Sequence, residues 1–334
     1  MPTMVIEPLP GKCFGATISG VELGSLDDEG WDPIERAFLE HGLLVFPAQH
    51  LTEAQQIEVA DRFSEHEQSP ERSGRVEHTR SRGANANARL NEFWHVDSAS
   101  SAVSAGATLL SAVTLTPPGS GQTEIADLRA AYRALTPAMR RRVEDLNVHH
   151  SQVFGQANDL GHFPVGHSDY NSGDLFPADQ AFLRPLVKRH PRSGQKSLML
   201  GRHAFGLVDA ASGQLLPREE SRELVAGLMR LATSDDAAIY RHEWQSGDLL
   251  AWDNRCTMHR REPWDYERFD RSMISTRNAG DPETERALNL ADDGAGGGAV
   301  LATELEAIRR EIEGHGLEAR RSVRELNGGA DARL

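Results

Sequence analysis

The sequence predicts a mostly β chain, a double-sheet core carrying helical insertions. Short strand-like runs recur at 239–244 (IYRHEW), 248–253 (DLLAWD) and 271–276 (RSMIST), and residues 93–116 favour extended structure. Helical patterns and long polar loops lie between such runs. No G-x-G-x-x-G follows a strand, so a dinucleotide-binding sheet has no support.

Taken in order, residues 14–20 are strand-like, and Asp27 or Asp28 caps a helix running to about His41. Residues 42–47 (GLLVFP) read as a buried strand. Thr52 and Gln55 form a capping box that opens a helix to about Phe63. Residues 66–92 are polar and aperiodic and read as a loop or lid. After the break at 117–121 (PPGSG), Ile125–Leu135 and Thr136–Leu146 look helical, the second with Pro137 at its first position. Residues 151–181 read as irregular. A hairpin is expected around Pro191–Gly194, and Ser221–Leu231 is an amphipathic helix. The first 285 residues are expected to form one domain. From 286 a glycine-rich linker leads to a helical tail with Leu301, Leu305, Ile308 and Ile312 at helical spacing, able to dock on the domain or on a second subunit.

Composition narrows the function. With 39% hydrophobic and 26% charged residues the chain suits a soluble globular protein, and no apolar run approaches the roughly 20 residues of a membrane helix. Residues 1–10 lack the basic start and apolar core of a signal peptide, so the cytoplasm is the expected location. The formal charge of −14 argues against a nucleic-acid partner. Two cysteines, Cys13 and Cys256, suggest neither a disulfide framework nor a thiolate site. The partner expected is a small molecule, with a homo-oligomer as the assembly.

Most of the fourteen histidines are innocent surface or core residues. The pattern His-x-Asp occurs at His95–Asp97 and at His167–Asp169. The first pair follows Phe93 and Trp94 at an apparent strand end, where alternate residues point to one face. The second lies in a Gly/Asp/Asn-rich loop and is discounted. A third ligand comes from segment 247–259, where a strand rises to Trp252, turns at Asp253 and Asn254, and returns carrying His259. Two imidazoles and one carboxylate on one face of an octahedral ion leave three positions open, the facial triad of Fe(II) oxygenases. Zinc is the alternative, although closed zinc sites usually have four protein ligands. A strand-borne Arg271 could reach the distal carboxylate of a chelated 2-oxo acid, and Thr123 could add a hydroxyl hydrogen bond. A surface ion pair with Asp270 or Glu267, and an ordinary turn residue, are the plain readings of those two. His203, in Gly-Arg-His-Ala, is a candidate substrate contact. Tyr170, His167 and loop 66–90 are weighed between facing the pocket and simple solvation. His149 and His150 read as surface residues, and Trp94 and Trp252 as core beneath the site.

At these residues the chain resembles the taurine dioxygenase and 2,4-dichlorophenoxyacetate dioxygenase family over about 4–285. The motifs are 93–97 (FWHVD), 118–127 (PGSGQTEIAD), 184–200, 252–259 (WDNRCTMH) and the Arg271–Asp281 strand. The resemblance implies a double-stranded β-helix, or jelly roll, with helices outside. It implies iron on His95, Asp97 and His259, and the 2-oxoglutarate C5 carboxylate on Thr123 and Arg271. Asn91 matches a substrate-contacting asparagine. Aryloxyalkanoate dioxygenases look most similar, through Asp127–Tyr132, Gly201–Ala204, Asp253–Cys256, Pro263–Asp265 and Ala279–Pro282. Ser275 stands where the taurine enzyme binds sulfonate with an arginine, which argues against taurine. Arg277, on the same strand face, could take over substrate-anion binding. The implied chemistry consumes Fe(II)-bound 2-oxoglutarate and O₂, releases succinate and CO₂, and hydroxylates a small organic, anionic substrate, with ether cleavage where the hydroxylated carbon bears oxygen. A natural-product hydroxylase or desaturase on the same platform, and a non-catalytic metal-binding jelly roll, are the competing readings.

Overall fold

The computed structural model describes residues 3–63, 75–81, 89–163, 180–290 and 297–316, and of 75–81 the backbone alone. The chain begins β1 (Val5–Pro8), β2 (Ala16–Ser19), α1 (Asp28–His41), β3 (Leu43–Phe46), α2 (Glu53–Arg62), β4 (Arg75–Ser81) and β5 (Ala105–Thr114). It continues β6 (Thr123–Asp127), α3 (Leu128–Ala134), α4 (Pro137–Glu144), β7 (Leu146–His150), α5 (Gln152–Leu160), β8 (Phe182–Pro185), β9 (Val187–Arg189), β10 (Lys196–Leu198) and β11 (Ala204–Asp209). It ends α6 (Arg218–Ala232), β12 (Ile239–His242), β13 (Leu249–Asp253), β14 (Thr257–Arg261), β15 (Arg271–Ala279), α7 (Pro282–Glu285) and α8 (Gly298–His315).

A seven-stranded sheet, ordered β1-β2-β3-β13-β5-β15-β4, faces a three-stranded sheet, β12-β6-β14. Strand alternation shows how they meet. Leu43, Val45, Leu250 and Trp252 point inward and pack with Ile125 of the smaller sheet. Leu44, Phe46, Leu249 and Ala251 point outward and pack beneath Trp31, Ile34 and Phe38 of α1 and Val59 of α2. With both faces covered, β3 and β13 are buried along their whole length, which is why 42–47 carries no polar alternation. The chain is thus mostly sheet with helices outside.

Several expected elements appear with their predicted signals. Asp27 caps α1, Thr52 and Gln55 close a capping box on α2, and Thr136 caps α4 with Pro137 at its start. β9 and β10 form the hairpin expected around Pro191–Gly194. Cys13 and Cys256 are free thiols.

Other expectations need correction. Thr123–Asp127 is a strand and not the start of a helix, because β12 and β14 pair with it on both sides; the helix begins only after the Asp127 cap. His149 and His150 are not surface residues: β7 continues through them, and they are 5% and 0% exposed. α5 forms within the stretch read as irregular, capped by Ser151 and stopped by Gly161 in the left-handed conformation. Backbone pairing with β15 turns 75–81, read as loop, into a strand. Residues 93–97 form no regular strand. The remainder of the 66–92 loop before residue 89, and His167, Asp169 and Tyr170, lie outside the described residues.

α8 packs on α5, burying Leu301 and Ile308 against Val153, Phe154 and Phe205. Arg218 of α6 holds Glu304 through two hydrogen bonds and pairs with Glu311. Among the described residues no helix is long and apolar enough to cross a membrane.

Candidate active site

His95 and His259 come together as a single antiparallel bridge. Each backbone N–H donates to the other's carbonyl, at 2.9 and 2.8 Å, a closely bonded pair of the kind found in antiparallel ladders. Sequence reasoning expected a strand to align His95 and Asp97; this bridge and a kink at Ser98, φ 53°, do so instead. The turn at Gly201 packs closely against the His95 backbone. At φ 140° it lies where a Cβ would come within 3.1 Å of His95 Cα, so only glycine fits easily.

The ligand atoms of His95, Asp97 and His259 all lie within 4.8 Å of one another, and all three residues are buried. Nε2 of His95 is 3.8 Å from Asp97 Oδ1, and Nε2 of His259 is 3.7 Å from Asp97 Oδ2. His95 Nδ1 donates to the Phe93 carbonyl at 2.8 Å. A carbonyl only accepts, so the proton sits on Nδ1 and the Nε2 lone pair faces the other two residues. Trp252 lies with its ring centroid 4.5 Å from that of His259.

The charge state suits a divalent cation. Burial pushes His95 down to about 3, with His259 adding to the effect, and burial likewise lowers His259. Both imidazoles are therefore neutral at physiological pH. Burial alone would raise Asp97, but Arg277, then His259 and His95, and the Thr108 hydrogen bond hold it well below the usual carboxylate range. Two neutral imidazoles and one carboxylate make a mixed nitrogen-and-oxygen donor set that fits Fe(II).

Asp97 is held by a closed ring of hydrogen bonds. Thr108 Oγ1 donates to Asp97 Oδ2 at 2.8 Å, Asn254 Nδ2 donates to Thr108 at 2.8 Å, and Asp97 N donates to Asn254 Oδ1 at 3.3 Å. Such partners orient a ligand before the metal arrives. Asp253, beside Asn254, fixes the turn through His190 and Arg255, at 2.8 and 2.7 Å. Sequence reasoning assigned Thr108 and Asn254 no role. Asn254 was visible in the turn motif, whereas Thr108 had no local signal.

Thr123, Arg271, Ser275, Arg277 and Asn91 line the same cavity as the three candidate ligands. Arg271 is 6% exposed. Its Nε donates to the Gly121 carbonyl at 3.0 Å and its Nη2 to Thr123 Oγ1 at 3.4 Å. Among the described residues no carboxylate pairs with it, so neither Asp270 nor Glu267 forms the surface bridge weighed above. Burial, with Arg261 adding, pushes Arg271 down to about 9, still cationic at neutral pH. A buried cation without an acid partner is costly, and the distal carboxylate of a dicarboxylate would offset that cost. Trp244 Nε1 also donates to Thr123, at 3.1 Å, a contact the sequence gave no sign of.

Arg277 lies against the site itself, its Nε 3.5 Å from Asp97 Oδ1. His203 places its ring 6.3 Å from that of His95, and among the described residues neither of its ring nitrogens has a partner. The same holds for the two ring nitrogens of fully buried His150. Arg202, next to His203, is held by Asp159 at 2.8 Å.

A mostly-sheet chain with this buried His-Asp-His cluster and an acid-free arginine in one cavity defines a class, and comparison with known proteins agrees: residues 6–276 match the taurine catabolism dioxygenase TauD, TfdA family, and the chain belongs to it. Among its relatives is the (S)-phenoxypropionate/alpha-ketoglutarate-dioxygenase of Sphingobium herbicidovorans, 41% identical over 295 residues, covering 86% of this chain and 99% of that protein. The alpha-ketoglutarate-dependent 2,4-dichlorophenoxyacetate dioxygenase of Cupriavidus pinatubonensis is 34% identical, covering 87% and 99%. The crystal structure of AAD-2 in complex with Mn(II) and N-oxalylglycine superposes with a TM-score of 0.70 at 31% identity, over 84% of this chain and 98% of that one.

Proposed function

We propose that the chain is an Fe(II)- and 2-oxoglutarate-dependent dioxygenase that oxygenates a small aryloxyalkanoate-like carboxylate. The observation that carries this reading is the convergence, in one buried cavity, of the His95-Asp97-His259 cluster with an arginine that has no acid partner among the described residues. The relatives that act on phenoxypropionate and on 2,4-dichlorophenoxyacetate support the substrate class. The jelly-roll description of the two facing sheets belongs to the same reading.

Bound at this centre, Fe(II), 2-oxoglutarate and O₂ supply the oxidising chemistry, with succinate and CO₂ released. His95 and His259 present Nε2, and Asp97 presents the carboxylate that the Thr108–Asn254 ring keeps in place. Arg271 and Thr123 hold the distal carboxylate of the co-substrate. Arg277 and His203 flank the metal cluster, and Asn91 lies at the exposed rim; these contact the substrate, with Arg277 offering charge to its anionic group. Oxygenation at a carbon bearing an ether oxygen yields a hemiacetal that collapses, so cleavage of the ether is the expected outcome.

The test is succinate release from 2-oxoglutarate with Fe(II), ascorbate and air, across phenoxypropionates, phenoxyacetates, alkyl sulfates and sulfonates. Stimulation by the aryloxyalkanoates is expected. Stimulation only by sulfates or sulfonates rejects the substrate class, and no 2-oxoglutarate turnover with any of them rejects the enzyme. Sedimentation of the purified protein checks the expected homo-oligomer.

A further inference from the structure

We infer that Arg261 is a second binding cation for the distal carboxylate of the co-substrate, so that the site clamps this group between two arginines. The inference rests on the 2-oxoglutarate reading proposed above and extends it to a residue with no assigned role.

Strand geometry makes the case first. Arg261 lies two residues after His259 on β14, so both side chains leave the strand on one face. The register sets Arg261 directly opposite Thr123 on β6, and Thr123 Oγ1 is the atom that accepts from Arg271. Arg261, Thr123 and Arg271 line the cavity together with His259. The two guanidiniums also share a neighbour: their Cζ atoms lie 4.4 Å (Arg261) and 5.6 Å (Arg271) from the Trp264 ring centroid.

Arg261 is moreover held in place. Its Nη2 donates to the Tyr266 hydroxyl at 2.8 Å, Tyr266 donates to Glu92, and Glu92 lies 3.8 Å from Arg261. Its backbone N–H donates to the Asn91 carbonyl at 2.7 Å. It is 7% exposed. Such tethering fixes a long side chain before any ligand arrives and lowers the entropic cost of binding.

The charge count is the remaining observation. Two buried guanidiniums share one end of the cavity, and among the described residues the carboxylate beside them, Glu92, lies by Arg261 and not by Arg271. Arg261 makes the cationic form of Arg271 harder to keep. Like charges in a low-dielectric site repel strongly, and a carboxylate with two oxygens relieves that by accepting from both.

The experiment is calorimetric titration of the full-length, Mn(II)-loaded protein with 2-oxoglutarate and with 2-oxopentanoate, which has the same chain length but no distal carboxylate. Arg261→Gln is expected to weaken 2-oxoglutarate roughly 10-fold, in line with losing one charge-assisted contact, and to leave 2-oxopentanoate within about 2-fold. A purely structural role would weaken both acids alike, and that result, or no change for either, overturns the clamp. Arg261→Lys keeps charge and most of the volume and covers a failure of R261Q to fold. It is expected to weaken 2-oxoglutarate selectively by about 3-fold, and equal effects on both acids again overturn the clamp. If the unsubstituted protein fails to bind 2-oxoglutarate, the functional reading itself falls. If it binds and the variants show no selectivity, the clamp alone falls.

Discussion

The cavity and the helical layer behind His95 are made from different material. Lining the cavity, His259 and Arg261 sit on β14, Thr123 on β6, and Arg271 and Arg277 on β15, all on paired strands. Behind His95, and outside the residues that line the cavity, His203 and Arg202 lie in the turn before β11 and pack against α5, where a Cβ on Gly155 would come within 3.2 Å of His203 and 3.3 Å of Arg202. α5 in turn is backed by α8, which lies beyond the family match ending at 276. Paired strands hold side chains more precisely than a turn does, and a close-packed helical layer transmits a change of volume to the turn it supports. On the reading proposed above, the metal and co-substrate contacts rest on the sheets, and His203 is the substrate contact that rests on this helical wall.

The most damaging change to the strand-built side is His95→Ala or Asp97→Ala. Either should abolish iron-dependent succinate release, by roughly 10³-fold or more, since two ligands hold a divalent ion poorly; near-normal turnover in a purified variant would remove these residues from the metal. Next comes Arg271→Ala, expected to raise the KM for 2-oxoglutarate about 10²-fold, or about 3 kcal/mol, with little change in the KM of the organic substrate. An unchanged 2-oxoglutarate KM would sink its role.

The helical wall should respond in the opposite way. Ile308→Ala removes a fully buried side chain from the α5–α8 contact and should lower stability by about 2–3 kcal/mol in denaturant unfolding. It should raise the KM of the organic substrate several-fold while the KM for 2-oxoglutarate holds. Equal shifts in both would erase the distinction between the two sides.

The smallest effect concerns the acid limb of stability. Asp248 accepts from His242 Nε2 at 3.1 Å and from the Gln245 backbone at 3.0 Å, bracing the β12–β13 turn on the strand-built side. Burial opposes its ionisation, but the His242 and backbone hydrogen bonds prevail and hold it below its ordinary value of 3.8. A depressed carboxylate adds stability that is complete above the unfolded value and fades as pH falls through the folded one. Asp248→Asn should therefore cost about 1 kcal/mol at pH 7 and flatten the loss of stability below about pH 4. An acid limb identical to that of the unsubstituted protein would show the pair to be inert.

Local signals were legible wherever a short stretch of chain sets its own geometry. Asp27, Thr52, Thr136 and Pro137 mark helix starts because a cap is satisfied within one turn. What failed to show in the sequence depends on remote partners. The chain from Thr123 to Asp127 is extended only because β12 and β14 pair with it. His149 and His150 look like surface residues until β11 and β8 cover β7. Thr108, eleven residues from Asp97, becomes its hydrogen-bond donor only when β5 passes beneath.

By itself the sequence determined the donor types, two imidazoles and a carboxylate, and the cation opposite them, because ligand chemistry is a property of side chains. Which atoms face one another was decided by the tertiary structure. The His95–His259 bridge, the Asp97–Thr108–Asn254 ring and the pairing of Arg261 across Thr123 join segments more than a hundred residues apart, and only the closing of the two sheets supplies that proximity.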